Sequence, residues 1–207
     1  MLLFLIFAVM ASAQRPPQNP LVHAAETDDL ATVRRLLDSG ADPSQPQNFS
    51  ALEAASASAF PDVVKAMLAR HPDVNQQDSA GRTALNVLGQ SAIGLPAENT
   101  AEVARLLLAA GAQVNAQDNI FGNTPLHEAP DAAAAQVLID AGADVNLRNR
   151  DGQTALMLAL DPEVVRVLLR AGADVTIRDK QGKTVMQLAR EFELTEIIAM
   201  LEAASKK

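Results

Sequence analysis

The chain contains side chains that could do chemistry, but their spacing does not form a catalytic or metal-binding pattern. The three histidines, His23, His71 and His127, are isolated from one another, and no Glu-flanked histidine pair exists. The absence of cysteine excludes thiolate nucleophiles, thiolate zinc sites and disulfides. Glycine-rich phosphate loops and the serine nucleophile motif are also missing. We therefore expect no catalytic, cofactor-binding or metal-binding residue, no cofactor, and a protein that is not an enzyme.

Composition narrows the class of partner further. The 207 residues carry a formal net charge of −8, and neither Trp nor Tyr is present. Nucleic-acid binding needs clustered cations and commonly uses aromatic stacking, so we expect no nucleic-acid partner. A hydrophobic content of 48% is enough to form a packed core of one large or two small domains.

The first thirteen residues differ from the rest. Residues 1–10 carry no charged side chain, and Ala11-Ser12-Ala13 follows them. An apolar run this short, ended by a small-x-small triplet, is typical of a secretory signal peptide rather than a membrane span. We expect cleavage between Ala13 and Gln14, a Pro-rich tether over 14–20 and no membrane insertion afterwards. The missing positive n-region keeps open an uncleaved apolar tail, which would be either a membrane anchor or an artefact of a misassigned start.

Self-similar segments follow the tether. A Leu-Leu-x-x-Gly-Ala pattern or a variant of it occurs at 36–42, 67–73, 107–113, 138–144 and 168–174. A Thr-x-Leu pattern begins at Thr83, Thr124 and Thr154, and the variant Thr-Val-Met begins at Thr184. Glycine ends helices well and threonine begins them, so the two patterns predict repeated helix pairs.

Two of these segments are specific enough to indicate a family. Residues 124–127 read Thr-Pro-Leu-His, and residues 142–146 read Gly-Ala-Asp-Val-Asn. The chain resembles the ankyrin-repeat family, of a bacterial exported type with irregular short and long repeats. The resemblance implies an all-α solenoid of about six helix-turn-helix units with β-hairpin-like finger loops.

The spacing of the motifs sets the expected boundaries. The repeat domain covers 21–203 and a tail covers 204–207, with units near 19–47, 48–78, 79–118, 119–149, 150–179 and 180–203. We expect a long insertion over 89–99, with a helix restarting at a capping box formed by Asn99 and Glu102. The fourth and fifth units have shortened turns, and the fourth hairpin gains one residue near Ile120 and Phe121.

The resemblance implies that hairpin tips and inner helices line a groove that binds another protein. Carried over by position, the partner-binding candidates are Arg82, Val87, Ile120, Phe121, Glu128, Arg150, Asp151, Leu158, Lys180, Gln181 and Lys183. Among these, Phe121, Arg150 and Leu158 are the expected hot spots. We expect a monomer, and the same resemblance makes His127 a structural residue.

Two tip features have alternative interpretations. The cations of the last two hairpins, from Arg148 to Lys183, are either ordinary finger polarity or a partner contact. Ile120 and Phe121 either contact a partner or fold back onto a neighbouring hairpin or the long loop.

The expected function is an exported, non-enzymatic scaffold that binds a partner protein, in the periplasm or secreted. A bacterial source is favoured because large eukaryotic extracellular domains commonly use cysteine. The alternatives are a membrane-anchored or cytosolic ankyrin-repeat regulator, and an enzyme or small-ligand receptor that uses the 89–99 loop.

Overall fold

The computed structural model describes residues 19–45, 49–91, 94 and 96–204. The expected signal peptide, its cleavage site at Ala13 and Gln14, and tether residues 14–18 lie outside this part of the chain. So do residues 92, 93 and 95 of the long insertion and residues 205–207 of the tail. Asn19 and Pro20 were expected in the tether, but they begin the first helix, because the Asn19 side chain accepts the Leu21 N–H at 2.9 Å.

Ten helices are formed within these described ranges. They are α1 (Pro20–Glu26), α2 (Leu30–Asp38), α3 (Ala51–Ala57), α4 (Pro61–Leu68), α5 (Ala97–Ala109), α6 (Ala132–Asp140), α7 (Ala155–Leu158), α8 (Pro162–Arg170), α9 (Val185–Glu191) and α10 (Thr195–Ala204).

Helix α8 shows why the outer helices form where they do. Pro162 occupies its first turn, where the missing N–H costs nothing, and the Asp161 carboxylate accepts the Glu163 N–H at 2.8 Å. Val165 and Leu168 are buried on one face of the helix. Gly172 then adopts a φ of 85° and ends it.

The outer helices stack into one continuous layer. Successive outer helices contact one another, in the order α2, α4, α5, α6, α8 and α10. Of the inner helices, α1 contacts α3, and α7 contacts α9. Five outer helices contribute an equivalent buried residue to the shared core, namely Met67, Leu107, Leu138, Leu168 and Leu201. Helix α2 instead buries Leu37, one place after the equivalent Leu36, which is partly buried. Each unit therefore buries its apolar face against its neighbours, as a solenoid requires.

The inner segments of units 3 and 4 are turns rather than helices, so Thr83 and Thr124 are not helix caps. In unit 3, Gly89 donates its N–H to Ser56 O at 3.0 Å, which directs the chain toward unit 2. In unit 4, Pro130 follows after five residues, and proline disfavours helix at the residue before it. The unit 3 segment forms no helix because its chain turns toward unit 2, and the unit 4 segment forms none because it is too short before Pro130.

The predicted capping box at Asn99 is wrong. Helix α5 begins at Ala97 after Pro96, and Asn99 lies inside its first turn. The Asn99 amide donates instead to Ala59 O at 3.3 Å. Across the described ranges, no helix combines the length and apolarity needed to cross a membrane.

Candidate partner-binding surface

The hairpin tips of units 3 to 6 each close around a buried acid or amide side chain. These side chains belong to Asp78, Asp118, Asn149 and Asp179. In unit 5, Asn149 Oδ1 accepts the N–H groups of Asp151 and Gln153, each at 2.9 Å. Because the acceptor is internal, the shape of each tip is fixed without a partner.

The tip of unit 4 is the longest of the four and holds two apolar side chains outward. Asp118 Oδ1 accepts the N–H groups of Ile120 and Phe121, each at 2.7 Å, and that of Gly122 at 3.2 Å. The Ile120 and Phe121 side chains are 53% and 55% exposed. The interpretation that they fold back onto a neighbour is therefore wrong.

Backbone hydrogen bonds join each tip to the next one. Asn119 N–H donates to Ala80 O at 2.7 Å, and Arg150 N–H donates to Phe121 O at 2.7 Å. Lys180 N–H donates to Asp151 O at 2.9 Å. We call this joined surface the tip row, and it comprises residues 78–82, 118–123, 148–153 and 178–183.

Arginines reinforce the tip row by contacting backbone carbonyls. Arg148 donates to Gly152 O at 3.0 Å and, in the next unit, to Arg178 O at 2.7 Å. Arg150 donates back to Asn119 O and, at 3.4 Å, to Ile120 O. These contacts leave the charge of each guanidinium at the surface while fixing the tips, so the cations have a structural role that spacing did not reveal.

A concave feature lies at the end of the inner segments that is opposite to the tip row. A cavity of about 270 Å³ opens where units 4 and 5 have their shortened turns, and its apolar lining includes Leu126, Ala129, Pro130, Leu158 and Val164. The α7 helix ends after four residues at Leu158, which thins the inner layer there. Leu160, on the rim, is an exposed apolar side chain.

The family follows from the sequence comparison. A family model described as ankyrin repeats (3 copies) matches residues 88–179 and 130–206, which together span more than half of the chain. The chain belongs to the ankyrin-repeat family. The expected all-α ankyrin solenoid is thereby confirmed. Units 1, 2, 5 and 6 are helix pairs, while units 3 and 4 each combine an inner turn segment with an outer helix.

Solved structures agree with this assignment over nearly the whole chain. An ankyrin repeat domain from Acinetobacter baumannii AYE is 27% identical, with a TM-score of 0.70 over 90% of this chain and 97% of that one. A chain in the complex of the Bdellovibrio bacteriovorus predatory endopeptidase Bd0816 with immunity protein Bd3460 is 25% identical. It has a TM-score of 0.75 over 93% of this chain and 100% of that chain.

One much longer relative also matches. A putative palmitoyltransferase ZDHHC13 from Danio rerio is 31% identical over 143 residues, which is 67% of this chain. The chain spans only 21% of the length of that relative.

His127 of the ankyrin Thr-Pro-Leu-His motif connects unit 4 to unit 5. Thr124 N–H lies 3.2 Å from its Nδ1 and can only donate, so Nδ1 accepts and Nε2 carries the proton. Nε2 then donates to Gln153 O at 3.1 Å. Burial lowers the pKa of His127, which keeps the ring neutral and fits the expected structural role.

Glu53 occupies the equivalent ankyrin position in unit 2 and was missed by sequence reasoning. Its Oε2 accepts the Ser50 N–H at 2.5 Å, while its Oε1 is buried without a hydrogen-bond partner. Burial raises the pKa of this carboxyl, which is only 2% exposed. The Ser50-x-x-Glu53 spacing, a capping box, was the signal that could have identified it.

The remaining candidates divide into exposed residues and residues held by intramolecular contacts. Asp151, Lys180 and Gln181 are exposed on the tip row. Arg82 makes a two-point contact with Asp78, at 2.9 and 2.7 Å.

Two further candidates are engaged near the inner face. The Glu128 carboxylate accepts a hydrogen bond from Asn123, and Lys183 pairs with Glu191. Leu158 is half-buried and lies in the cavity of units 4 and 5 rather than beside the tips.

The prediction for Val87 is wrong. Its side chain is fully buried because the unit 3 inner segment turns toward unit 2. It has no surface to offer a partner. In the ranges that the structure describes, no group of three or more His, Asp or Glu side chains could hold a metal ion.

Proposed function

We propose that this ankyrin domain is a non-enzymatic scaffold that binds a partner protein through the tip row and the adjacent inner-helix face. The observation that carries this proposal is the hydrogen bonding of four tips into one surface that holds Ile120 and Phe121 outward. An exposed apolar pair on a preformed surface lowers the entropy cost of association. We expect the unbound chain to be a monomer.

The comparison with the Bdellovibrio complex supports a folded protein as the partner. The similar chain there belongs to an assembly of an endopeptidase with an immunity protein, and the likeness extends over its full length. An exported enzyme is therefore the partner class to search first.

Photo-crosslinking in the native host tests this function. We would place p-benzoylphenylalanine at Phe121, at Leu160 on the rim of the cavity of units 4 and 5, and at Lys65 on the exposed face of an outer helix. The expected result is one protein adduct at Phe121 and none at Lys65. An adduct at Leu160 alone would move the binding site to the opposite end of the inner segments. No adduct at Phe121 or Leu160 would overturn the scaffold proposal.

Export is part of the same proposal. Its support is the uncharged apolar run of residues 1–10 followed by Ala11-Ser12-Ala13. The test is intact mass combined with fractionation after expression in a Gram-negative host. A periplasmic chain beginning at Gln14 is the expected outcome. An uncleaved chain would contradict it, in the membrane fraction as an anchored regulator or in the soluble fraction as a cytosolic one.

A further inference from the structure

The tip row carries positive charge on a chain that is acidic overall. Its last three tips hold five cations, and the whole chain has a net charge of −8. Those cations are Arg148, Arg150, Arg178, Lys180 and Lys183. Two of the acids in the same tips, Asp118 and Asp179, are buried as acceptors for backbone N–H groups. Asp151 is the remaining acid of these tips, and it is exposed.

Among the described residues, most of this positive charge is not paired with a carboxylate. Arg148, Arg150 and Arg178 donate to backbone carbonyls, as in the 2.7 Å contact of Arg178 with Gly182 O. A carbonyl contact does not cancel the charge of a guanidinium. Lys183 pairs with Glu191, while the Lys180 side chain extends into solvent from the last tip. The last three tips therefore carry five cations against three acids, which makes this part of the tip row net positive.

Phe121 stands at one end of this positive surface in a fixed position. Three contacts hold its backbone, which are the Asp118 carboxylate, the Arg150 N–H and the Arg150 guanidinium on the preceding carbonyl. An aromatic side chain on a fixed backbone is an efficient interface anchor, because binding has only a few side-chain torsions left to order.

We infer that the tip row docks against an acidic protein surface with an apolar pocket that takes Phe121. This inference rests on the proposed function and adds the chemistry of the partner. A basic face on an otherwise acidic protein orients it during the encounter with an acidic partner and raises the association rate. Nucleic acid would share the charge preference, but the rest of this chain would repel it and no Trp or Tyr is present for stacking.

The test uses the full chain and the protein captured at Phe121, purified and titrated in solution. Phe121→Ala is compared with Phe192→Ala, because Phe192 is 63% exposed at the opposite end of the inner segments. Lys180→Glu is compared with Lys65→Glu, an identical charge change on the exposed face of α4. Circular dichroism melting would check that all four variants remain folded.

We expect Phe121→Ala and Lys180→Glu each to weaken binding by about tenfold, and both controls to stay within about twofold. Raising NaCl from about 50 mM to about 500 mM should weaken the wild-type complex by at least about tenfold. The Lys180→Glu variant should lose part of that salt dependence.

The outcomes separate the two proposals. Unchanged or tighter binding by Lys180→Glu would overturn the inference of an acidic partner surface with an apolar pocket. So would a larger loss of affinity with Phe192→Ala than with Phe121→Ala. Either result would still leave a protein-binding scaffold. Displacement of the partner by a single-stranded oligonucleotide would replace the inference with nucleic-acid binding. Capture of no protein at any position would overturn both proposals.

Discussion

At equivalent positions of successive repeats, different side chains accept the same backbone N–H hydrogen bond. The residue three places after Ser50, Thr83 or Thr124 accepts from that residue's N–H, and it is Glu53, Asn86 and His127 respectively. Asn86 and His127 also donate to a carbonyl of the next unit, at 3.3 Å to Asn123 O and 3.1 Å to Gln153 O. A carboxylate cannot donate, which explains the unpartnered Oε1 of Glu53.

Replacing Glu53 with Gln should therefore stabilise the fold. The variant keeps the acceptor for Ser50 N–H and adds the missing donor, for a gain of about 1 kcal/mol at neutral pH. Burial raises the folded pKa of Glu53 above its ordinary value of 4.5, so wild-type stability falls as pH rises from there through the folded value. Urea unfolding should show the gain growing with pH. A Glu53→Gln profile that matches that of Glu196→Gln, a change on the exposed face of α10, would contradict this account.

His127 should give the opposite slope. Burial lowers its folded pKa below 6.5, so the unfolded chain binds the proton first and stability is lost as pH falls below that value. His127→Asn copies Asn86, which makes both contacts without titrating, and should remove this acid-dependent loss. The measurement is the unfolding free energy between pH about 5 and about 7.5. Parallel curves for wild type and variant would refute the assignment, and exposed His23→Asn serves as the control.

At the scale of elements, the hairpin tips depend on close approach between units. Asn119, Arg150 and Lys180 each donate a backbone N–H to the preceding tip. The glycine at the end of a tip must therefore leave room for the next unit. Gly152 has a φ of 75°, and a Cβ there would lie 3.2 Å from Lys180 N and 3.4 Å from Asp179 C of the next unit. It would also lie 2.6 Å from Nη2 of Arg148 in its own unit, a side-chain end that can move.

Gly152→Ala should cost more stability than Gly182→Ala. Both glycines have a positive φ, 75° and 78°, but a Cβ at Gly182 would meet no atom of the described residues within 4 Å. We expect a loss of more than about 1 kcal/mol for each, with Gly152→Ala the larger by a further 1 kcal/mol or so. Urea unfolding of the two variants measures the difference. Equal losses would mean that the tips do not press on one another.

Elements governed by local chemistry were predictable, and elements governed by neighbouring units were not. The outer helices ending at Gly142 and Gly172 follow from local caps and turn residues. The inner segment of unit 3 does not, because the Gly89 contact with Ser56 O diverts it and buries Val87. The exposed apolar pair at Ile120 and Phe121 was visible as one inserted residue, but the contacts that fix it depend on how unit 5 stacks.

The hot-spot set illustrates the same limit. Arg150 was an expected hot spot for a partner, yet it also holds the carbonyls of Asn119 and Ile120. Its replacement by Ala would disturb the tip itself. Phe121 and Lys180 are the cleaner test positions, because their side chains are exposed and their hydrogen bonds within the tip row come from the backbone.

At the scale of the whole molecule, the repeats place charge and apolar surface at one edge. Stacking aligns the tips so that cations from units 5 and 6 and the apolar pair from unit 4 form one surface. The opposite end of the inner segments carries the cavity near Leu158 and the exposed Leu160 and Phe192. The claim that unites these observations is that the tip row binds its partner as a preformed surface.

Backbone hydrogen exchange of the chain, with and without the captured partner, tests that claim most directly. In the free chain, the N–H groups of Asn119, Arg150 and Lys180 should already exchange slowly, because each is bonded to the preceding tip. The partner should slow exchange further around Phe121 and leave the turn at Leu160 unchanged. Fast exchange of those three N–H groups in the free chain, or protection by the partner confined to the Leu160 turn, would contradict the account.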